Sequence, residues 1–463
     1  MTKRLSLRTI GLILTDILII YGGMLFALFL RLGLDGTTAQ LYENNGWLKI
    51  SLATFICLLT LHLYDLYDYT VINNRHELLL RLIQALGSAW ALLAVLFYFV
   101  PTLVIGRGVL IFSIIITLVL LLALRSSIHF LTGHPEFGEK ILIIGEGDIA
   151  IDTAEAVLAR RDAGYRIIGF ITEDFEAVKA RIPTARYLGS INDLESIILN
   201  EKIDRLVIGL RERRGSSFPA ETLLRISLAG QVSIEEGTSF YERITGRVHL
   251  DMLRPSWFIF SGRKRATALK MFFREAVSRF LATVGLVFCF PIAVFIAILI
   301  KLDSKGEVFY RQERVGKNGH IFKVIKFRSM RSDAEADGNA VWAVSDDERT
   351  TRVGRIIRKM RVDEIPQFWN IIKGEMSFVG PRPERPQFVS QLSQKIRFYE
   401  HRHLFAPGLT GWAQINYPYG ASVEDARQKL QFDLYYIKNQ TLTLDLIIVF
   451  ETIKIILFGK GAR

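Results

Sequence analysis

Four long apolar stretches near the N-terminus, a series of short alternating strands and helices after residue 139, and a basic carboxyl third entered by a proline-interrupted apolar segment predict a membrane protein of three parts. The expected fold has four transmembrane helices over 1–130, a cytoplasmic α/β domain over 131–262 and an α-rich monotopic domain over 263–463. A re-entrant helix at about 274–302 anchors the last of these. Half of the 463 residues are hydrophobic, 22% are charged and mean hydropathy is +0.27, which excludes a disordered chain and fits an ordinary soluble enzyme poorly.

The four apolar runs, 9–30, 47–64, 82–104 and 108–124, each approach the ~20 residues that cross a hydrocarbon core. Asp16 is the main blemish. The first run is too long for a cleaved signal peptide and has no small-residue cleavage site after it. Lys3, Arg4 and Arg8 precede the first run, Arg75 and Arg81 separate the second from the third, and Arg125 follows the fourth; the other two loops hold Arg31 and Arg107. The positive-inside rule therefore places the N-terminus and everything after residue 130 in the cytoplasm, as an even number of crossings requires.

The net charge of +12 is unevenly spread: +3 over 1–130, −4 over 131–262 and +13 over 263–463. A fifth apolar run at 281–300 carries Pro291 at its middle and has Arg263, Lys264, Arg265, Lys270, Arg274 and Arg279 before it and Lys301 and Lys305 after it. Exporting a +13 domain would violate the positive-inside rule, so a helix broken at Pro291 and returning to the same face is expected. Cys57 and Cys289 both lie in apolar runs and read as buried hydrophobes.

In the middle domain, strands are expected at 140–144, 166–171 and 205–209, with helices at 149–160 and 191–200. Gly145-Glu146-Gly147-Asp148-Ile149-Ala150 stands where a dinucleotide fingerprint would place its phosphate-facing turn, which makes the domain Rossmann-like. Glu146 and Asp148 would repel a phosphate, the third glycine is replaced, and Glu173 and Asp174 lie beyond the usual ribose-ligand distance. A structural or oligomerising role is therefore favoured over ligand binding.

The carboxyl domain holds the chemistry. Residues 322–330 alternate apolar and basic side chains, as a strand presenting Lys326 and Arg328 on one rim would, and Arg349, Arg352, Arg355 and Arg358 recur every three residues, as a cationic helical stripe would. Pro366 and Gly374 bracket a short helix with Asp363 at its N-terminus, where a carboxylate is expected to stay ionised and can serve as a nucleophile. The adjacent Glu364 is suited to hold Mg²⁺ together with substrate phosphate oxygens. Gly380-Pro381-Arg382-Pro383-Glu384 and the segment from Pro407 through Thr410, Gly411, Trp412 and Gln414 to Asn416 are rigid turns of the kind that line a pocket. The apolar run 441–458 reads equally as an interfacial amphipathic helix or as a core helix.

Four ordered blocks, Lys-Phe-Arg-Ser-Met at 326–330, Asp-Glu-Ile-Pro-Gln at 363–367, Lys-Gly-Glu-Met-Ser-Phe-Val-Gly-Pro-Arg-Pro at 373–383 and Pro-Gly-Leu-Thr-Gly-Trp-Ala-Gln at 407–414, resemble the bacterial sugar transferases. These are monotopic polyprenyl-phosphate sugar-1-phosphate transferases, and the first 260 residues resemble those of the large, exopolysaccharide-associated members. The resemblance implies transfer of a sugar 1-phosphate from a nucleotide diphospho-sugar, with UDP-hexose the family expectation, to polyprenyl (undecaprenyl) phosphate in the bacterial inner membrane. UMP is released, and the step opens glycan assembly.

Residue by residue, Asp363 matches the family nucleophile that carries a covalent phosphosugar, Glu364 the Mg²⁺ ligand, Lys326 and Arg358 the basic catalytic residues, and Pro291 the helix break. Arg328, Arg382, Pro383, Thr410, Gly411, Trp412 and Gln414 fall in segments associated with substrate binding. Donor, lipid acceptor and membrane lipids are the implied partners, with a homodimer allowed and nucleic acid not expected. Phe290 stands where the family often has Ser, and Asn416-Tyr417-Pro418-Tyr419-Gly420 replaces the Asn-Gly-Arg-Asn loop of shorter members. Two rival readings lose ground on the residues. A membrane-bound dehydratase or epimerase needs a Tyr-x-x-x-Lys pair that 139–250 lacks, and a non-catalytic export scaffold has no use for Asp363, Glu364, Lys326 and Arg358 together.

Overall fold

The computed structural model describes residues 7–67, 75–132, 138–159, 164–210, 220–230, 232–253, 268–331, 349–418, 420 and 422–458. Lys3, Arg4, Arg263, Lys264, Arg265 and Tyr419, used above, lie outside the described residues. The chain divides into two compact units, one of Lys3–Ile141 with Ala159–Ile167, the other of Leu142–Leu158 with Ile168–Arg463.

The first unit is built on α1 (Leu7–Tyr42), α2 (Gly46–Leu63), α3 (Arg75–Phe99) and α4 (Arg107–Thr132). Each contains a stretch long and apolar enough to cross a membrane. Helix α1 outruns its expected end because helical backbone resumes beyond Gly33, where a non-helical residue (φ 69°, ψ −173°) marks a kink. Asp16 is accounted for by Arg125: their side chains are fully buried and 2.6 Å apart, joining α1 to α4. A charge within an apolar helix is tolerated where it pairs in this way. Arg125 is thus a residue inside α4 and not a loop cation, so it drops out of the positive-inside count for the segment that follows.

The α/β part begins with β1 (Glu139–Ile144), α5 (Asp148–Ala159), β2 (Tyr165–Ile171), α6 (Phe175–Arg181), β3 (Tyr187–Gly189) and α7 (Leu194–Glu201). It continues with β4 (Arg205–Ile208), α8 (Ala220–Ala229), β5 (Ser233–Glu236) and α9 (Gly237–Thr245). The five strands lie in the order β3-β2-β1-β4-β5, and the β2/β3 and β4/β5 pairs are parallel. Strands β3 and β5 were not expected: one has three residues and the other ends in two glutamates, so neither shows an apolar run. At the fingerprint turn, a Cβ on Gly145 would stand 2.9 Å from the Gly209 backbone, and one on Gly209 would stand 2.6 Å from the Ala150 Cβ. The turn and the residue after β4 are therefore held in close approach that leaves no room for a side chain at either glycine, and Glu146 accepts a 2.5 Å hydrogen bond from Thr172.

After α9 the chain enters the carboxyl part as a strap. Val248, Leu250 and Leu253 are buried in one cluster with Trp412, Leu430, Leu434 and Tyr435. Helix α10 (Ala268–Asp303) is one helix of 36 residues with Pro291 inside it, where two helices separated by a break were expected. Proline's fixed φ is compatible with a helix, but its missing N–H removes the bond to the carbonyl of Val287 and its ring crowds that carbonyl, which favours a bend there without ending the helix. Only 11% of the most apolar window of α10 is buried, and Phe272, Phe280, Val287, Phe288, Phe290 and Phe295 are exposed. Cys289 is only half-buried, unlike Cys57.

Polar contacts fasten α10 to the domain beneath it. The Arg274 guanidinium meets Asp445 at 2.6 Å and donates to the Val379 carbonyl at 2.9 Å, and Ser278 accepts from the Phe378 amide at 2.7 Å. Farther along, Ile296 and Ile300 pack with Phe327 and Ile357.

The rest comprises β6 (Phe309–Val315) antiparallel to β7 (Ile321–Phe327), α11 (Arg352–Lys359), a 3-10 turn (Val362–Glu364), α12 (Gln367–Lys373) and β8 (Ser377–Val379). It ends with α13 (Pro386–Lys395), β9 (Gly408–Thr410), α14 (Trp412–Asn416), α15 (Val423–Lys438) and α16 (Leu442–Phe458). Strands β8 and β9 pair in parallel. Helix α16 combines both readings of 441–458, since Ile448 is fully buried in the core while Leu446, Ile453 and Leu457 are exposed.

Candidate active site

The site forms where β7, the 3-10 turn and the Gly380–Glu384 segment converge. Asn370 of α12 aligns the first two. It is fully buried, its Oδ1 accepts from the Ile325 amide at 3.1 Å and its Nδ2 donates to the Lys323 carbonyl at 2.8 Å. Those bonds fix β7 against α12, so Lys326 at the end of one faces the turn that enters the other. Val362 and Ile365 flank Asp363 and Glu364 and pack on the cluster of Ile296, Ile300, Phe327 and Ile357, which seats the turn beside the apolar helix α10. Arg361 enters the turn in the left-handed region (φ 55°), a conformation that costs a non-glycine residue roughly 1–3 kcal/mol.

Glu364 accepts from Lys326 Nζ at 3.0 Å and from Arg382 at 2.9 Å, both on Oε1. These two cations overcome burial and hold its carboxyl well below the usual range. Asp363 goes the other way. It is 9% exposed, and burial together with the negative Glu364 raises its carboxyl to about 6, against the pull of Lys326, Arg382 and Arg358. Desolvation therefore outweighs the terminus of the seven-residue α12 in setting the direction of the shift, yet a carboxyl at about 6 still stays mostly ionised at neutral pH, as expected. Burial also depresses the Lys326 ammonium, with Glu364 opposing. Two adjacent carboxyls driven apart in this way suit two tasks: a permanently ionised anchor, and a more basic carboxylate that remains mostly ionised at neutral pH.

Several expected site residues are engaged elsewhere. Strand β7 ends at Phe327, so Arg328 does not share a rim with Lys326; its buried guanidinium donates to the carbonyls of Ser304 (2.7 Å) and Lys305 (3.0 Å) and holds the end of α10. Trp412 is 2% exposed, donates to the Gly246 carbonyl at 2.7 Å and stacks on Tyr435, which makes it a strut between strap and core. Thr410 is buried and bonded to Thr452 at 2.6 Å. Gly411 is required by close approach, since a Cβ there would lie 2.2 Å from the Gly380 carbonyl oxygen. Gln414 bonds the Leu409 carbonyl at 3.4 Å and leaves a buried Oε1 without a hydrogen bond. Pro383 is buried and its carbonyl accepts from Arg314. Arg349 precedes α11, so only Arg352, Arg355 and Arg358 form the helical stripe; Arg358 donates to Thr350 at 3.2 Å.

Among the described residues no group of three or more His, Cys, Asp or Glu side chains could enclose a metal ion. Mg²⁺ does not need one, because it binds through one or two carboxylates and substrate phosphates. Glu364 fits that use: it is ionised, and both of its cations fall on Oε1. Asn370, Arg314 and Arg402 were not singled out from the sequence. Nothing in their surroundings along the chain distinguishes a buried polar residue that bonds backbone from one on the surface.

Comparison with known proteins matches residues 269–459 to a family model described as bacterial sugar transferase, and residues 62–216 to one described as a CoA-binding domain. The carboxylates of Glu146 and Asp148 in the turn at 145–150 are poorly suited to face a CoA pyrophosphate. The chain is 40% identical over 262 residues to the UDP-N-acetylgalactosamine-undecaprenyl-phosphate N-acetylgalactosaminephosphotransferase of Aeromonas hydrophila, covering 57% of this chain and 61% of that one. It is 30% identical over 347 residues to the undecaprenyl-phosphate glucose phosphotransferase of Komagataeibacter xylinus, covering 72% and 62%. It is 40% identical over 168 residues to the exopolysaccharide production protein PSS of Rhizobium leguminosarum bv. phaseoli, covering 35% and 84%. The chain thus spans about six tenths of the length of the first two relatives.

Proposed function

Because the chain belongs to the bacterial sugar transferase family, we propose that it moves a sugar 1-phosphate from a UDP-sugar, a hexose or its N-acetylated form, to undecaprenyl phosphate. The observation that carries this reading is the buried Asp363 with its carboxyl raised to about 6, beside a Glu364 clamped by Lys326 and Arg382. A carboxylate oxygen of Asp363 bonds to the phosphorus that bears the sugar; the pyrophosphate P–O bond breaks, and UMP leaves with the electron pair. A phosphate oxygen of the lipid then bonds to the same phosphorus, and Asp363 departs as carboxylate. Dividing the displacement in two lets the soluble product leave before the lipid engages. Lys326, Arg358 and Arg382 offset the phosphate charge during both steps. Glu364 would hold Mg²⁺, which would supply further neutralisation of the diphosphate.

The membrane arrangement belongs to the same reading. Helix α10 would span about 54 Å if straight, more than a bilayer core of about 30 Å. Bending at Pro291 lets it dip into the cytoplasmic leaflet of the inner membrane and return, with its exposed phenylalanines in lipid and the Asp363 turn at headgroup depth. A reporter fused after residue 463 is then cytoplasmic; a periplasmic signal contradicts the bend. For the reaction, purified chain given radiolabelled UDP-sugar and undecaprenyl phosphate yields labelled lipid, and Asp363→Asn abolishes it. Undiminished product from that variant would remove the nucleophile assignment.

A further inference from the structure

Gly380-Pro381-Arg382-Pro383-Glu384 forms no helix or strand, and its two prolines have no amide to donate. Its carbonyls are nevertheless held one after another. Pro381 accepts from the Gly408 amide at 2.9 Å, Arg382 from Arg402 at 3.0 Å, Pro383 from Arg314 at 3.0 Å and Glu384 from the Val315 amide at 2.9 Å. This segment presents the Arg382 side chain to Glu364, so its rigidity sets the geometry of the clamp.

Arg402 is the deepest of these holders. Its side chain is 6% exposed, lies 2.8 Å from the Asp433 carboxylate, itself 2% exposed, and donates to the Tyr399 hydroxyl at 2.6 Å. The desolvation penalty of such a buried ion pair often exceeds its Coulombic gain, so stability alone is a weak reason for it. Arg402 also ties the backbone of Arg382 to α15 through Asp433. We propose that Arg402, oriented by Asp433, is a positioning residue that fixes the Arg382 backbone and so the angle at which the Arg382 guanidinium meets Glu364 and the donor diphosphate. The part concerning the donor rests on the proposed transferase reaction; the part concerning the backbone does not.

Two variants test it in the full chain in detergent. Arg402→Lys keeps a cation beside Asp433 but lacks the planar fork that bonds the Arg382 carbonyl and the Tyr399 hydroxyl while facing Asp433, and Asp433→Asn keeps the volume and removes the charge that aims Arg402. Hydrogen exchange read on peptides covering 380–385 rises roughly tenfold in both variants, while peptides of α12 are unchanged. Exchange that stays at the wild-type rate overturns the proposal, as does a rise spread equally over the whole domain.

The second readout is a double-mutant cycle on transfer rate. Arg402→Lys lowers kcat about tenfold with little change in donor KM, yet lowers it by less than about twofold when added to Arg382→Ala, because the group it positions is gone. Multiplicative losses would show that Arg402 acts independently of Arg382. Wild-type chain that transfers nothing to lipid refutes the proposed reaction, and the exchange measurement then decides the positioning claim by itself.

Discussion

Replacing Asp363 with Asn should make the protein more stable. An ordinary aspartate titrates at 3.8 and this one at about 6, because it is buried beside an ionised Glu364. At ~1.4 kcal/mol per tenfold, ionised Asp363 opposes folding by roughly 3 kcal/mol. Asn keeps the shape without the charge, so the variant recovers most of that amount, about 6–12 °C in midpoint for a domain of ~200 residues. The sign with pH is fixed. Between 3.8 and about 6 the folded chain holds a proton that the unfolded chain has released, so wild-type stability falls as pH rises through that interval. The advantage of Asn is therefore absent below pH 4 and complete above about pH 6. Thermal unfolding in detergent at pH 4 and pH 7.5 reads both ends. A variant no more stable than wild type at pH 7.5, or one whose gain is the same at both, refutes the reasoning.

Three further outcomes follow from the same geometry. Donor cleavage in a single turnover loses activity as pH falls through about 6, where Asp363 takes up a proton, and Lys326→Met moves that limb to higher pH by removing a cation that favours the ionised carboxylate; an unmoved limb counts against the coupling. Arg328→Lys destabilises the chain by about 1–3 kcal/mol through lost bonds to Ser304 and Lys305 but leaves donor KM unchanged, and a large rise in KM would restore a substrate role. Trp412→Phe leaves the Gly246 carbonyl without its donor and lowers the unfolding midpoint while transfer continues at the wild-type rate below it; loss of transfer at full stability would place the indole in the donor site.

Hydropathy made the apolar helices legible, since twenty apolar residues have few other uses, and the α/β alternation could be read at the three strands that carry an apolar run. Strands β3 and β5 escaped notice because short or acidic edge strands carry no such signal. The blocks around Lys326, Asp363, Glu364 and Arg382 pointed to residues that the fold does bring together. The same blocks pointed to Arg328, Thr410 and Trp412, whose polar atoms bond the chain itself. A motif records that a side chain is needed without recording what it touches. Nor could the direction of the Asp363 shift be read locally, because it depends on burial supplied by distant elements and on which carboxylate wins Lys326 and Arg382.

The central claim is that Asp363 carries the sugar phosphate between donor and lipid. Full-length protein should be mixed with UDP-sugar in the absence of lipid, quenched in acid, digested and examined by mass spectrometry. The account predicts one sugar-phosphate adduct on the peptide containing Asp363, released when undecaprenyl phosphate is added before the quench. Turnover to lipid with no adduct, or an adduct on another residue, would contradict it.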